Sequence, residues 1–278
     1  MPRVLTRLLT WSALAIAFVA FVFPLYYLVV TSLKTRAELF SAVPTLYPHE
    51  PTIAPYTSVL FTRGLGGMLV NSVIVGLSST VLALIVAFAI CYPITRLPVR
   101  RGLRRFVLNW ALSLRFLPPI AVVIPYFTIV RTIGLYNQLP ALIIVYAIFN
   151  LPLAIWMLKG FLEEIPPEIE EAAMVDGGTR WQAFRHVLLP LSSPGILAAG
   201  IIVFAFDWAE FVFAFILTAT PRAMTFPVGA QGLVTQFEII WNDMAAGGAI
   251  AIVIPLVLML LARRYVLAGL TFGVIREK

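Results

Sequence analysis

Two acidic residues, Asp207 and Glu210, stand one helical turn apart inside the apolar stretch FAFDWAEFVFAF. A carboxylate in the middle of a membrane span is costly unless it is neutralised, paired or hydrated, so both side chains are expected to face the protein interior. Counting about 1.5 Å per residue from the ends of the spans places Arg115 within roughly 6 Å of Asp207 in depth. An Arg115–Asp207 ion pair would either hold the helices together or belong to a solute or ion pathway.

Further polar residues accompany this pair. Asn150 precedes Leu151-Pro152 and marks an irregular point in another apolar run, and Trp208 lies between the two acids. The candidate pathway residues are therefore Arg115, Asn150, Asp207, Trp208 and Glu210.

A second concentration of charge lies at 161–195, FLEEIPPEIEEAAMVDGGTRWQAFRHVLLPLSSPG. Pro166-Pro167 followed by glutamates predicts a helix start, and Gly177-Gly178 predicts its end. Thr179 and Gln182 have the spacing of a capping box for a second helix, which Pro190 and Pro194 are expected to close. Two short helices tethered between apolar runs indicate a docking element.

Several kinds of chemistry have no counterpart in the sequence. The chain contains no G-x-x-x-x-G-K-[ST] phosphate loop, and no H-E-x-x-H or nucleophile-elbow motif. Its single cysteine, Cys91, and its two histidines, His49 and His186, build no metal site. The chain is thus predicted to be no enzyme, to bind no cofactor or metal, and to leave any use of ATP to another polypeptide.

The composition predicts that lipid is the solvent for most of the chain. Hydrophobic residues make up 61% of the 278 residues, and the mean hydropathy is +0.96. Apolar runs of about 20 residues can cross a bilayer as helices. Six are predicted, at 8–31, 68–90, 107–130, 140–161, 194–218 and 245–261, with a polar loop at 162–193, in a single all-α polytopic membrane domain at 1–278.

The distribution of lysine and arginine predicts the orientation. With a cytosolic N-terminus, fourteen of the 20 basic residues fall on the inner side and five on the outer side. The inner ones include Arg3, Arg96, Arg263, Arg264, Arg276 and Lys278. The positive-inside rule therefore places both termini and the 162–193 loop in the cytosol. Because these residues flank spans without an interleaved aromatic platform, no nucleic-acid partner is predicted.

The loop resembles the EAA signature of binding-protein-dependent ABC importer permeases. The matching residues are Glu171-Ala172-Ala173, then Gly177, Val187 and Leu189-Pro190, with valine where the family usually has isoleucine. The stretches NSVIVGL, IGLYNQLPALII and the C-terminal pattern Ala246-Gly247, Pro255, Gly269-Leu270-Thr271 and Gly273 resemble the carbohydrate-uptake, maltose-type branch with six spans. A departure is Trp208-Ala209-Glu210 with the extra acid Asp207, where members commonly have Trp-Asn and an acid.

The resemblance implies a type I ABC importer permease fold and a coupling role for Glu171, Ala172, Ala173, Asp176, Gly177, Leu189 and Pro190. It implies a second permease, expected to form a heterodimer, two cytosolic ATPases that use ATP and Mg, and an external solute-binding protein. It further implies a bacterial or archaeal cytoplasmic (inner) membrane and a sugar, or a sugar derivative, as solute.

Two alternatives remain open from the residues. One is a permease for a different solute class. The other is an ion-coupled secondary transporter that uses Asp207 and Glu210 within the membrane.

Overall fold

The chain folds into helices joined by turns and short loops. The computed structural model describes residues 2–234 and 240–272, with side chains for 5–234 and 240–261. Gly273, Arg276 and Lys278 lie outside the described residues, as do the side chains of Arg3, Arg263 and Arg264. The helices are α1 Pro2–Ser32, α2 Arg36–Leu39, α3 Ala54–Thr57, α4 Leu65–Arg96, α5 Arg101–Arg115, α6 Pro119–Thr132, α7 Leu139–Glu164, α8 Glu168–Val175, α9 Arg180–Ala183, α10 Leu189–Trp208, α11 Val212–Leu217, α12 Phe226–Gln231 and α13 Trp241–Phe272.

Five helical stretches are long and apolar enough to cross a membrane within the described chain. They are Leu5–Ser32, Leu65–Arg96, Leu139–Glu164, Arg180–Trp208 and Trp241–Leu261. A sixth crossing exists if the bent pair α5 and α6 forms one span. The all-helical class predicted from the composition is confirmed.

The predicted third span, 107–130, comprises two helices in the structure. α5 and α6 meet at 103° on either side of Phe116, Leu117 and Pro118. Pro118 and Pro119 remove two backbone donors and disfavour helical geometry in the residue before them, which explains a break at this point. On α5, Ala111 is fully buried while Phe106 is 66% exposed. One side of this helix therefore packs against the protein, and the other side is exposed.

The bounds predicted for the fifth span, 194–218, differ from those of the observed helix at both ends. Helical structure runs from Arg180 through a π-helical turn at Phe184–Leu188 into α10, and it stops at Trp208. Pro190 lies in the first turn of α10, where its missing N–H is tolerated, so it does not end a helix as predicted. After residues 209–211, the chain turns helical again as α11.

The structure divides into two compact units. The first comprises Met1–Gly67 and Gly229–Ile254. Within it, the side chains of α1 from 5 to 26 are all exposed, as expected for a helix that contacts lipid. Arg63 Nε and Ser58 Oγ both donate to Asp243 Oδ2, at 2.7 and 2.9 Å, and connect the segment 33–64, between α1 and α4, to the start of α13.

The segment 33–64 is also held together by polar contacts of its own. Lys34 is only 2% exposed and donates to the carbonyl of Thr45. Thr45 Oγ1 donates to Glu38 Oε1 at 2.7 Å. This hydrogen bond, followed by those from His49, lowers the pKa of the Glu38 carboxyl below its usual value. The segment is therefore folded by its own polar contacts, and it contains the short helices α2 and α3.

The second unit comprises Met68–Val228 and Pro255–Lys278 and contains every candidate site residue. Its core is built where α4, α7 and α10 pack together, with small residues at the contacts. Ala83 and Ala87 of α4, Ala154 of α7 and Ala199 of α10 are at most 1% exposed and belong to one cluster. Small side chains let helices approach closely, which is how membrane helices gain van der Waals contact in lipid.

Candidate functional site

The 162–193 loop contains the two helices that the sequence predicts. α8 begins after Pro166-Pro167 and carries Glu168, Glu170 and Glu171 in its first turn, where negative charge is favourable. It ends at Gly177, whose φ of +91° lies in the left-handed region that glycine adopts without strain.

The capping box at the start of α9 is confirmed. Gln182 N donates to Thr179 Oγ1 at 3.3 Å, and Thr179 N donates to Gln182 Oε1 at 2.7 Å. The reciprocal bonds satisfy two backbone donors that a helix start leaves free. The turn between the two loop helices is therefore held by local bonds.

One face of α8 is exposed and does not pack against the rest of the second unit. Glu171 and Ala172 are exposed, as are Asp176 and Gly177, while Ala173 is partly buried. Val175 is 87% exposed, which is high for an apolar side chain. Leu189 and Pro190, at the start of α10, are also exposed. All seven residues predicted to couple to an ATPase thus lie in or directly after the loop helices, and most are accessible to a partner.

A buried ion pair ties α8 to the end of α4. Arg96 Nε donates to Glu170 Oε1, and the side chains are only 6% and 9% exposed. The other end of the guanidinium donates to the carbonyls of Leu162 and Ile165, at 2.8 Å each. Arg96 therefore closes both the C-terminus of α7 and the first turn of α8.

Asp207 lies at the meeting point of three helices. Its Oδ1 accepts a hydrogen bond from Asn150 Nδ2 of α7 at 2.6 Å. Its Oδ2 accepts from Ser79 Oγ at 2.6 Å and Thr80 Oγ1 at 3.2 Å, both on α4. Asp207 is 4% exposed and Asn150 is 3% exposed. The cluster of Ser79, Thr80, Asn150 and Asp207, here called the polar clasp, joins α4, α7 and α10.

The predicted Arg115–Asp207 ion pair is wrong. The Arg115 guanidinium carbon lies 4.4 Å from the centroid of the Phe206 ring, and no ion pair joins Arg115 to Asp207 in the described part of the chain. Depth alone fixed neither the direction of α5 before the 103° bend nor the face of α10 that carries Asp207. The clasp shows that hydrogen bonds from neutral side chains replace the expected cation.

Glu210 and Trp208 have separate surroundings. Glu210 Oε1 accepts from Phe213 N at 2.8 Å and Oε2 accepts from Ala214 N at 3.2 Å, so Glu210 caps the first turn of α11. The Trp208 ring stacks on Phe204 with centroids 5.6 Å apart. Among the five candidate pathway residues, a side-chain hydrogen bond joins Asn150 to Asp207, and Glu210 N donates to the Asp207 carbonyl at 3.3 Å.

Residues 79–270 match the family of binding-protein-dependent transport system inner membrane components. The matched region covers well over half of the chain. The chain belongs to this family. As a permease, it is a multi-pass transmembrane subunit that translocates a solute, and ATP hydrolysis is left to a separate chain. This membership decides against the ion-coupled secondary transporter.

Similar permeases are found over nearly the whole chain. The sulfoquinovosyl glycerol transport system permease SmoH of Agrobacterium fabrum is 35% identical, over 95% of this chain and 92% of its own length. The trehalose transport system permease SugB of Mycobacterium tuberculosis is 39% identical, over 83% of this chain and 84% of its own length.

Solved structures share the fold of this permease at low sequence identity. A chain of a bacterial ABC transporter that imports the acidic polysaccharide alginate superposes with a TM-score of 0.75 at 19% identity, over 94% of this chain and 95% of that chain. A chain of the MetNI methionine ABC transporter superposes with a TM-score of 0.60 at 22% identity, over 76% and 96% of the two chains. The ABC importer permease fold expected from the resemblance is thus confirmed.

Sequence reasoning missed the residues that hold these sites in place. Arg96 was counted only as a positive charge on the inner side. Ser79 and Thr80, in the predicted span 68–90, were not identified as site residues. Glu170 and Glu171 are adjacent, and they have different roles because successive residues on a helix point about 100° apart. The available signal is Asp207 itself. A buried carboxylate needs hydrogen-bond donors, which indicates polar residues on the neighbouring spans.

Proposed function

We propose that this permease imports a sugar, or a sugar derivative, across a bacterial or archaeal cytoplasmic (inner) membrane. Transport proceeds by alternating access and is driven by a separate ATPase docked on the 162–193 loop. The sugar assignment is supported by relatives whose names specify sulfoquinovosyl glycerol and trehalose. Both termini and the loop lie in the cytosol, as the positive-inside rule predicts.

The observation that carries the ATPase role is the two-sided construction of α8. On one side, Glu170 is buried in its ion pair with Arg96. On another, Glu171, Ala172, Val175 and Asp176 are open to a partner. A rigidly anchored helix with a small, acidic and partly apolar outer face transmits a push or pull to α4 and α7. Glu171 is placed to receive a charge-assisted hydrogen bond from a basic residue of the ATPase.

The proposed complex contains one copy of this chain, a different second permease, two ATPase subunits and an external solute-binding protein. ATP and Mg are used by the ATPases, and this chain binds neither. A heterodimer predicts that a tagged copy of this chain recovers the second permease but no untagged copy when both are expressed together. Recovery of the untagged copy would instead establish a homodimer.

Substitutions in α8 and its terminal turn test the coupling role. Glu171→Lys reverses the charge offered to the ATPase, and Gly177→Pro cannot adopt the observed φ of +91°. Both variants are expected to insert at normal abundance and to lose uptake together with solute-stimulated ATP hydrolysis. Glu164→Lys is the matched control, since it makes the same charge change at an exposed position before α8. Normal uptake by both loop variants would overturn the docking role.

The solute is tested with the purified solute-binding protein of the same system. Calorimetry against a panel of mono- and oligosaccharides, sugar derivatives and amino acids is expected to give saturable binding to a sugar or sugar derivative. Binding confined to a compound of another class would support the alternative solute while leaving the coupling role intact.

A further inference from the structure

An apolar groove runs between the end of α4 and the start of the helical stretch that leads into α10. Its volume is about 640 Å³. Ile85, Phe88 and Ala89 of α4 form one wall, and Trp181 and Phe184 of the loop form the other. The volume lies within the range of about 300–1,000 Å³ in which proteins hold single small molecules.

The groove has a single charged lining residue, Arg180 at the start of α9. Arg180 is exposed, and it forms no ion pair with a carboxylate in the described residues. Its side chain also lines a smaller pocket with Glu170 and Glu171, and the planar geometry of its guanidinium donors suits phosphate oxygens. One cation beside a long apolar surface is the charge pattern of a site for an amphiphile with an anionic head.

A second polar group lacks a partner at the same place. The hydroxyl of Tyr92, another lining residue, is buried without a hydrogen-bond partner in the described part of the chain. Buried hydroxyls are nearly always hydrogen-bonded, and an oxygen in the groove would satisfy this one only if the Tyr92 side chain turned toward it.

We propose that the groove binds one anionic phospholipid, with its phosphate on the Arg180 guanidinium and an acyl chain along Ile85, Phe88 and Ala89. Tyr92 and Pro93 lie in the last turns of α4, which the proposed topology places at the cytosolic face. Anionic headgroups concentrate there, and basic pockets between helices on that side bind them.

The lipid would brace the coupling loop against the membrane domain. The Phe184 ring meets Tyr92 and Phe88 edge-on, with centroids 5.1 and 5.8 Å apart, and stacks on Trp181 at 5.2 Å. An acyl chain in the groove contacts both walls of this aromatic group. It therefore stabilises the position of the helical stretch that follows α8.

The test compares two photoactivatable phospholipids that carry the same diazirine-labelled acyl chain. Phosphatidylglycerol and phosphatidylcholine probes are each added at a small fixed fraction to phosphatidylcholine nanodiscs holding the complete transporter. Labelled positions are then mapped by mass spectrometry. We expect the phosphatidylglycerol probe to label the groove roughly fivefold more than the phosphatidylcholine probe, the ratio for one arginine near a headgroup.

Two variants and a control decide the outcome. Arg180→Gln is expected to reduce groove labelling by phosphatidylglycerol to the phosphatidylcholine level, whereas Arg185→Gln, an exposed residue that does not line the groove, leaves it unchanged. Ala89→Phe fills the groove and is expected to reduce labelling by both probes there. Labelling of other surfaces of the same protein reports that each variant is folded.

Equal labelling by both probes, or selectivity that survives Arg180→Gln, would overturn the proposal. Protection of the groove by a cross-linked partner chain would overturn it as well and identify a protein as the occupant. The measurement requires no transport, so its failure is distinguishable from failure of the proposed import function.

Discussion

Asp207 is the residue whose role changed most once its neighbours were known. An acid inside an apolar run is usually a candidate for an ion or solute pathway. Here both carboxyl oxygens are occupied, by Asn150 on one side and by Ser79 and Thr80 on the other. The polar clasp therefore assigns Asp207 to the interior of the bundle, where it holds three helices in register.

We predict that Asp207→Asn retains transport, while Asp207→Leu is impaired. The asparagine oxygen still accepts from Asn150, and its amide donates to Ser79, whose hydroxyl also bonds the Val75 carbonyl at 2.6 Å. Leucine removes three interhelical hydrogen bonds, or about 2 kcal/mol at roughly 0.6 kcal/mol each. Thermal unfolding in detergent and uptake at matched abundance measure the difference. Loss of uptake in Asp207→Asn, with stability retained, would show that the charge itself is needed.

The Arg96–Glu170 pair predicts a strong effect from a residue outside the EAA signature. Arg96→Met leaves the buried Glu170 carboxylate and the Ile165 carbonyl without their Arg96 donor, a loss of about 3–5 kcal/mol for a buried pair broken on one side. Hydrogen exchange in residues 162–176 is expected to accelerate, and ATP hydrolysis is expected to uncouple from transport.

Arg104→Met is the matched control for this prediction. Arg104 pairs with Glu163 on the same surface, but the two side chains are 44% and 37% exposed. Exposed pairs contribute only about 0–1 kcal/mol, so exchange and coupling should change little. Equal effects of the two substitutions would mean that Arg96 is no more important than a surface residue.

At the scale of elements, Gly195 permits the close approach of α10 to α7 at the Phe161 ring. A Cβ atom on Gly195 of α10 would overlap the ring of Phe161 on α7. Gly195→Ala is therefore expected to force the two helices apart and to lower stability by about 1–3 kcal/mol, the usual effect of overpacking.

Gly160→Ala provides the comparison for Gly195→Ala. It lies on α7 beside Phe161, and a Cβ there meets nothing within 4 Å. Because alanine is a better helix former than glycine, this variant should be as stable as the parent or more so. The midpoints of thermal unfolding measure both changes. A Gly195→Ala protein that unfolds at the parent temperature would show that Phe161 moves aside freely.

The extent of each element could be predicted only in part. The runs at 68–90, 140–161 and 245–261 fall inside α4, α7 and α13, because an uninterrupted apolar run is a direct signal for a membrane helix. The bounds predicted for the runs containing Arg115 and Asp207 differ from those of the helices because hydropathy continues across a bend. The positions of proline do not predict where the helices end either, because Pro118 begins a 103° turn, whereas Pro194 lies inside α10.

For the whole molecule, the proposed orientation predicts which positions are reached from outside. The single cysteine, Cys91, is fully buried, so cysteines introduced elsewhere can be labelled against a low background. Ala42→Cys is expected to react with a membrane-impermeant maleimide in intact cells. Gly102→Cys, at an exposed position in the first turn of α5, is expected to react only after the membrane is opened. The reverse pattern would invert the topology.

The sequence by itself determined the solvent, the class of helices, the EAA-type loop and the need for a separate ATPase. These follow from local composition and from spacing along the chain, which no distant contact alters. Only the tertiary structure decided that Asp207 bonds with Ser79, Thr80 and Asn150 rather than with Arg115, and that Arg96 holds α8 through Glu170. Both contacts join residues more than fifty positions apart, and they depend on the rotation of each helix about its axis. Hydropathy fixes that rotation weakly when a helix is apolar on all sides.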